Sequence, residues 1–237
     1  SAAEPTEFEL YYRAGEHEYR YALSVHADEI VSEGLWRRKL GASRTAMLFE
    51  REGAEVELGP TLRKLVTAAR FNPRLPYLSF LCINFDAPVV KEAASWFLDG
   101  VFLNYNSSYL EQMLEQLLDE DDSPEVTRFL RAVDVRIDGF RVERAPEWRG
   151  QRVFVRHEVG GKAYELRLSE ESAGTQKLMG LAAYLMTALE RGGTVVVDEL
   201  DAKLHPKLLR YVILLFKDPG VNKSGAQLIF SSQDVST

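Results

Sequence analysis

The chain has 237 residues, 46% of them hydrophobic and 27% charged, with a net charge of −7 at pH 7. That is enough apolar material for one large domain or two modest lobes, and the negative balance excludes a general attraction to nucleic acid or anionic membrane, although not a local basic face. No apolar run reaches the roughly 18 residues of a membrane span, and the opening SAAEPTEFEL lacks the basic and apolar regions of a secretion signal, so the expected compartment is the cytoplasm.

Residues 6–58 alternate polar and apolar positions in short runs (TEFELYY, EYRYALSV, EIVSEGLWRR, TAMLFERE) punctuated by Gly15, Gly41 and Gly53, the pattern of an antiparallel meander. From Gly59 to about Ala132 the spacing becomes helical, in PTLRKLVTAARF, APVVKEAASWFLDG, SYLEQMLEQLLDED and SPEVTRFLRAV, where Ser123 and Pro124 make a good helix start. The single cysteine, Cys82 in LSFLCINF, has no partner for a disulfide or a thiolate metal site and reads as a small buried hydrophobe. The acidic run DEDDSPE has no strand or helix to aim its carboxylates inward and reads as a solvated loop rather than a metal site.

Strand alternation returns in VDVRIDGFRVER, QRVFVRHEV and KAYELRLSEE. A long helix follows in SAGTQKLMGLAAYLMTALERGG, with Leu178, Leu181, Ala182, Leu185 and Leu189 on one face and Gly192 and Gly193 ending it. The last segment is strand, crossover helix and strand: TVVVD, HPKLLRYVILLFK and AQLIFSS. Its strands do not alternate, which describes a parallel sheet buried on both faces, and ligands of such sheets collect at the carboxyl ends of the strands. The organisation read from sequence is thus a β-rich part over 1–58, a helical insert over 59–133 and a C-terminal part over 134–237.

Both of those last strands end in polar residues. Asp198 and Glu199 follow four apolar strand residues and, as adjacent strand side chains, point to opposite faces, so that one can hold a magnesium ion through its waters while the other takes a proton from an attacking water. Nucleotide hydrolysis requires that division of labour. Upstream, Ser172, Ala173, Gly174 and Thr175 open the long helix, where free backbone N–H groups, the helix dipole and two hydroxyls make an anion site. Each motif alone has a bland reading, two solvated acids in one case and an ordinary helix cap in the other. Their order and spacing favour the functional one.

The series SAGT, helix, TVVVDE, LDAKLHP, LIFSSQD resembles the signature helix, Walker B strand, D-loop and switch loop of the ABC-type ATPases, and within them the RecF/SMC-like group that includes the AAA15 and AAA21 ATPases. The resemblance implies an α/β fold: an ABC-ATPase-like core with an antiparallel β meander at the N-terminus, a helical middle and a C-terminal mixed or parallel sheet flanked by helices. It implies ATP and Mg2+ as cofactors, with Asp198 the magnesium-linked acid, Glu199 the base that orients water, and Ser172, Gly174 and Thr175 the signature residues that reach the γ-phosphate of ATP on an opposite subunit. Asp201 falls in the D-loop between two sites of a head-to-tail dimer, and His205 and Pro206 match a structural LHP at a helix start. Implied partners are a second or further copy through the ATPase heads and an effector such as a nuclease or toxin, plausibly in bacterial defence against phage.

Two departures accompany this. Gln233 stands where the family's switch usually has histidine, which points to slow hydrolysis or nucleotide sensing. The chain also contains no G-x-x-x-x-G-K-[ST] phosphate loop, since GASRTAML and GPTLRKLV lack its second glycine and its Lys-Ser/Thr pair. It is therefore expected to be a piece of a longer protein and, alone, a poor hydrolase. Two other readings stand beside the ATPase: a scaffold domain with a relic core, and a DNA-repair ATPase that uses Arg37, Arg38 and Lys39 or the arginines of RVERAPEWRGQR on phosphates.

Overall fold

Alternation in the first 58 residues becomes a five-stranded antiparallel sheet in the order β1-β2-β3-β4-β5, formed by Thr6–Ala14, His17–His26, Glu29–Lys39, Thr45–Glu52 and Glu55–Leu58. The computed structural model describes residues 4–67, 69–104, 124–132, 137–144, 151–200 and 204–232. They fall into two compact units, Ser1–Asp99 and Gly100–Thr237.

In the first unit the expected glycines make the turns: Gly15, Gly41 and Gly53 all have positive φ. The β2–β3 turn has no glycine, and there Ala27 takes a φ of 52°. One sheet face carries Tyr12, Tyr19, Tyr21, Leu35 and Phe49 into a core completed by helices α1 (Tyr77–Asn84) and α2 (Pro88–Asp99). Small residues let α2 approach this aromatic face. Ala93 is fully buried and its carbonyl accepts from the Tyr12 hydroxyl at 2.7 Å. Cys82 is half-buried rather than buried, with its sulfur 4.0 Å from the Val90 carbonyl, because α1 exposes part of that face.

The expected helix in PTLRKLVTAARF is reduced to a 3-10 turn over Leu62–Lys64. Tertiary contacts override its spacing. The buried Arg51 guanidinium donates to the carbonyls of Leu75 (2.9 Å) and Pro73 (2.5 Å), tying the following segment down in non-helical form. Glu33, on β3, stands beside Arg51 with an Oε2 to Nη1 separation of 3.4 Å, and both side chains are 0% exposed. The same carboxylate accepts from the backbone N–H groups of Tyr77 (2.6 Å) and Leu78 (3.0 Å), so it caps the start of α1 from the neighbouring sheet.

The second unit contains the helix α3 (Pro124–Ala132), a three-stranded antiparallel sheet β7-β8-β9 (Gly139–Arg144, Gln151–Val159, Lys162–Arg167), the long helix α4 (Ala173–Arg191) and the helix α5 (Pro206–Lys217). Its second sheet is parallel, in the order β11-β10-β6, formed by Gln227–Phe230, Thr194–Asp198 and Val101–Asn104. The sequence-expected helical middle therefore supplies α1 and α2 to the first unit, and β6 and α3 to the second. The stretches 105–123, 133–136 and 145–150, with the acidic run at 119–123, lie outside the described residues.

Alternate residues of the parallel sheet have different fates. Leu103, Val195 and Val197 are buried in one core with Leu178, Leu181 and Leu185 of α4 and Leu209 and Val212 of α5. On the opposite parity Phe102, Val196 and Ile229 lie in register across the three strands, and Phe102 and Ile229 remain 52% and 48% exposed. Parallel sheets normally have both faces covered. Among the described residues no helix is long and apolar enough to cross a membrane.

Candidate nucleotide site at the end of the central strand

The Val195–Val197 run is β-branched and forms the middle strand β10, which places its carboxyl end between those of β6 and β11. Asp198 is the last residue of that strand. It shares the parity of the half-exposed row and lies opposite Asn104 at the end of β6. The expectation that Glu199 continues the strand is corrected here: the strand stops at Asp198, and Glu199 turns away with a φ of 53°. A non-glycine residue in the left-handed region is strained unless its surroundings hold it.

What holds it is Ser231, the residue after β11. Its hydroxyl accepts from the Glu199 N–H at 2.7 Å and donates to Asp198 Oδ1 at 2.6 Å. Its backbone closes the ends of the same turn, since the Ser231 N–H donates to the Val197 carbonyl at 3.1 Å and the Leu200 N–H donates to the Ser231 carbonyl at 3.2 Å. Leu200 is buried and anchors the far side. The two acids are thus presented from a pinned turn, Asp198 exposed and Glu199 half-buried.

Ser172, Gly174 and Thr175 form a separate cluster at the start of α4. Ser172 is the N-cap: its oxygen accepts from the Thr175 N–H at 3.1 Å and lies 2.9 Å from the Thr175 hydroxyl. Glu171, just before the cap, is fixed by His157 of β8 at 2.5 Å, while its carbonyl accepts from the Gln176 side chain at 2.9 Å. Gly174 is exposed, has no positive φ, and a Cβ built there meets nothing closer than the Ser172 oxygen at 3.8 Å. The fold does not require glycine at this position, and glycine in a helix costs about 1 kcal/mol relative to alanine. The bare backbone leaves the helix start open to close approach.

The α4 start and the β10 end belong to consecutive elements. The chain reverses through Gly192, whose φ is 79°, after a helix of 19 residues and before a strand of 5. Those lengths span about 28 Å of helix and about 17 Å of strand. Asp201 and Gln233 lie outside the described residues. His205 is the N-cap of α5, with Nδ1 accepting from the Lys207 N–H at 3.3 Å ahead of Pro206, which is a structural role.

The basic run at 37–39 is engaged locally. Arg38 donates to Glu18 through Nε at 3.0 Å, and Lys39 lies 3.6 Å from Glu16. Among the described residues no group of three or more His, Cys, Asp or Glu side chains is placed to hold a metal. A magnesium site of the nucleotide kind does not need one, because Mg2+ keeps several waters and takes one or two carboxylates together with phosphate oxygens. Asp198 fits that requirement: it is exposed and the Ser231 hydroxyl fixes only one of its oxygens.

Two residues of the site were missed in the sequence. Asn104 reaches the site through a strand of four residues whose pattern, VFLN, repeats in miniature the apolar run with a polar end seen in VVVD. Ser231 was read as part of a strand terminus, without its link to the acids.

Across the whole chain, residues 1–237 match the family model described as "AAA domain, putative AbiEii toxin, Type IV TA system". No curated protein sequence matches. Among solved structures, the SmcHead bound to the C-winged helix domain of ScpA is 13% identical, with a TM-score of 0.44 over 93% of this chain and 68% of that chain. The recombination mediator protein RecF with ATP is also 13% identical, with a TM-score of 0.32 over 94% of this chain and 76% of that chain. At those values the likenesses add nothing to the geometry described above.

Proposed function

The chain belongs to this AAA domain family, and from that premise we propose that it carries the acidic and signature half of a RecF/SMC-like ABC-type ATPase site. The observation that supports this most is the pinned turn at the carboxyl end of β10, where Ser231 presents Asp198 and Glu199 beside Asn104. Asp198 is the acid that would hold the magnesium ion. Glu199 accepts the proton of the attacking water, and its left-handed backbone sets its direction independently of the strand pleat. Bound Mg2+ and ATP would supply charge neutralisation at the phosphates and the transferable γ-phosphoryl group.

The α4 start serves a neighbouring copy. Its cap hydroxyls, the bare Gly174 backbone and the positive end of a 19-residue helix suit a phosphate. That arrangement calls for a head-to-tail dimer around two ATP molecules, with Asp201 between the sites and Gln233 at the switch. Coupling of ATP turnover to an effector, in defence against phage, is the biological role this reading favours.

The test uses the protein that carries the phosphate loop. ATP should bind more tightly with Mg2+ than without, and Asp198→Ala should erase that difference while leaving metal-free ATP binding in place. A Mg2+ enhancement that survives in Asp198→Ala would remove the metal assignment.

A further inference from the structure

We infer that Ser231 is the positioning residue of the hydrolytic turn, the group that aims Glu199 and holds Asp198 in one rotamer. This rests on the ATPase reading above, but the observations that carry it are geometric. One side chain and its backbone make four hydrogen bonds to four consecutive residues, 197 to 200. The hydroxyl can donate only once, and that proton goes to Asp198 Oδ1, which leaves its lone pairs to accept the Glu199 N–H.

The consequence follows from the φ of 53° at Glu199. That conformation is strained for a residue with a Cβ, so the turn relaxes when its restraints are removed. With the Glu199 N–H released, the backbone returns toward negative φ and the carboxylate swings away from the line of attack. Asp198, without the donated proton on Oδ1, loses the bond that selects its rotamer. Ser231 thereby also ties the two acids to the strand that leads into the 233 region. A movement of β11 is felt by both.

The experiment compares Ser231→Ala and Ser231→Thr with the parent, in the protein that carries the phosphate loop. Without nucleotide, amide exchange at Glu199 and Leu200 should quicken by about fivefold in Ser231→Ala and stay near the parent rate in Ser231→Thr. With ATP, Ser231→Ala should lower kcat roughly ten- to a hundred-fold with KM little changed, and the threonine variant should restore most of it. Unchanged exchange in Ser231→Ala overturns the inference. So does faster exchange with an unchanged kcat when Glu199→Gln is inactive, an outcome that leaves the ATPase reading standing. If Glu199→Gln itself turns over normally, the ATPase reading fails and this role for Ser231 fails with it.

Discussion

Glu33, which caps the α1 start from within β3, and the Asp198–Glu199 pair at the end of β10 are carboxylates treated in opposite ways. Glu33 is fully buried, faces Arg51 at 3.4 Å, and accepts from two backbone N–H groups and from the Tyr21 hydroxyl at 3.0 Å. Its lone pairs are committed to the fold. Asp198 is exposed, with one oxygen fixed by a serine hydroxyl, on the sheet parity that carries the half-exposed Phe102 and Ile229. A carboxylate surrounded by its own chain holds structure together, whereas one held by a single bond at an open edge is available for chemistry.

Breaking the buried pair should have the largest effect on stability. Arg51→Met leaves Glu33 as an uncompensated buried charge and should cost about 3–5 kcal/mol in denaturant unfolding, with the segment around Pro73 and Leu75 released first. Asp198→Ala should change stability by no more than about 0.5 kcal/mol. Equal losses at the two sites would erase the distinction.

The buried acid should also be visible in the pH dependence. Burial pushes the Glu33 carboxyl above its ordinary value of 4.5, against the lowering influence of the Leu78 and Tyr77 N–H groups, Arg51 and Tyr21. A folded-state value above the unfolded one gives a contribution to stability that is complete below about pH 4.5 and is lost as pH rises through the folded value. Stability of the parent minus that of Glu33→Gln should therefore fall as pH increases across that window. A flat difference would show that burial does not govern this group.

The smallest effect sharpens the comparison most. Gly174→Ala should raise stability by about 0.5–1 kcal/mol, because alanine suits a helix and meets no neighbour closer than 3.8 Å. The same substitution should lower ATP-dependent dimerisation, since the added methyl lies on the open helix start. Gain of stability with undiminished dimerisation would make Gly174 a residue of no functional consequence.

Much of this architecture was legible in the residues, for reasons that also mark its limits. The meander, α4 with its Ser172 cap and Gly192 stop, and the β10–α5–β11 crossover each have a clean period or punctuation, and the structure has all of them. The helix α1 escaped because YLSFLCIN is apolar on nearly every side and has no amphipathic period. The strand β6 escaped because four residues are too few to show one. The failed helix near Leu62 depended on Arg51, a side chain that no local pattern could connect to Pro73. At the site, adjacency in sequence located Asp198 and Glu199 but misjudged the second as a strand residue. Asn104 and Ser231 join them through strand register, which the sequence does not display.

The measurement closest to the central claim is ATP turnover together with assembly state for Glu199→Gln in the protein that carries the phosphate loop. Loss of a positioned general base predicts turnover reduced by about 10²- to 10⁴-fold, with ATP retained and the dimer trapped around it. Turnover equal to the parent's, in a variant that still binds ATP, would contradict the account.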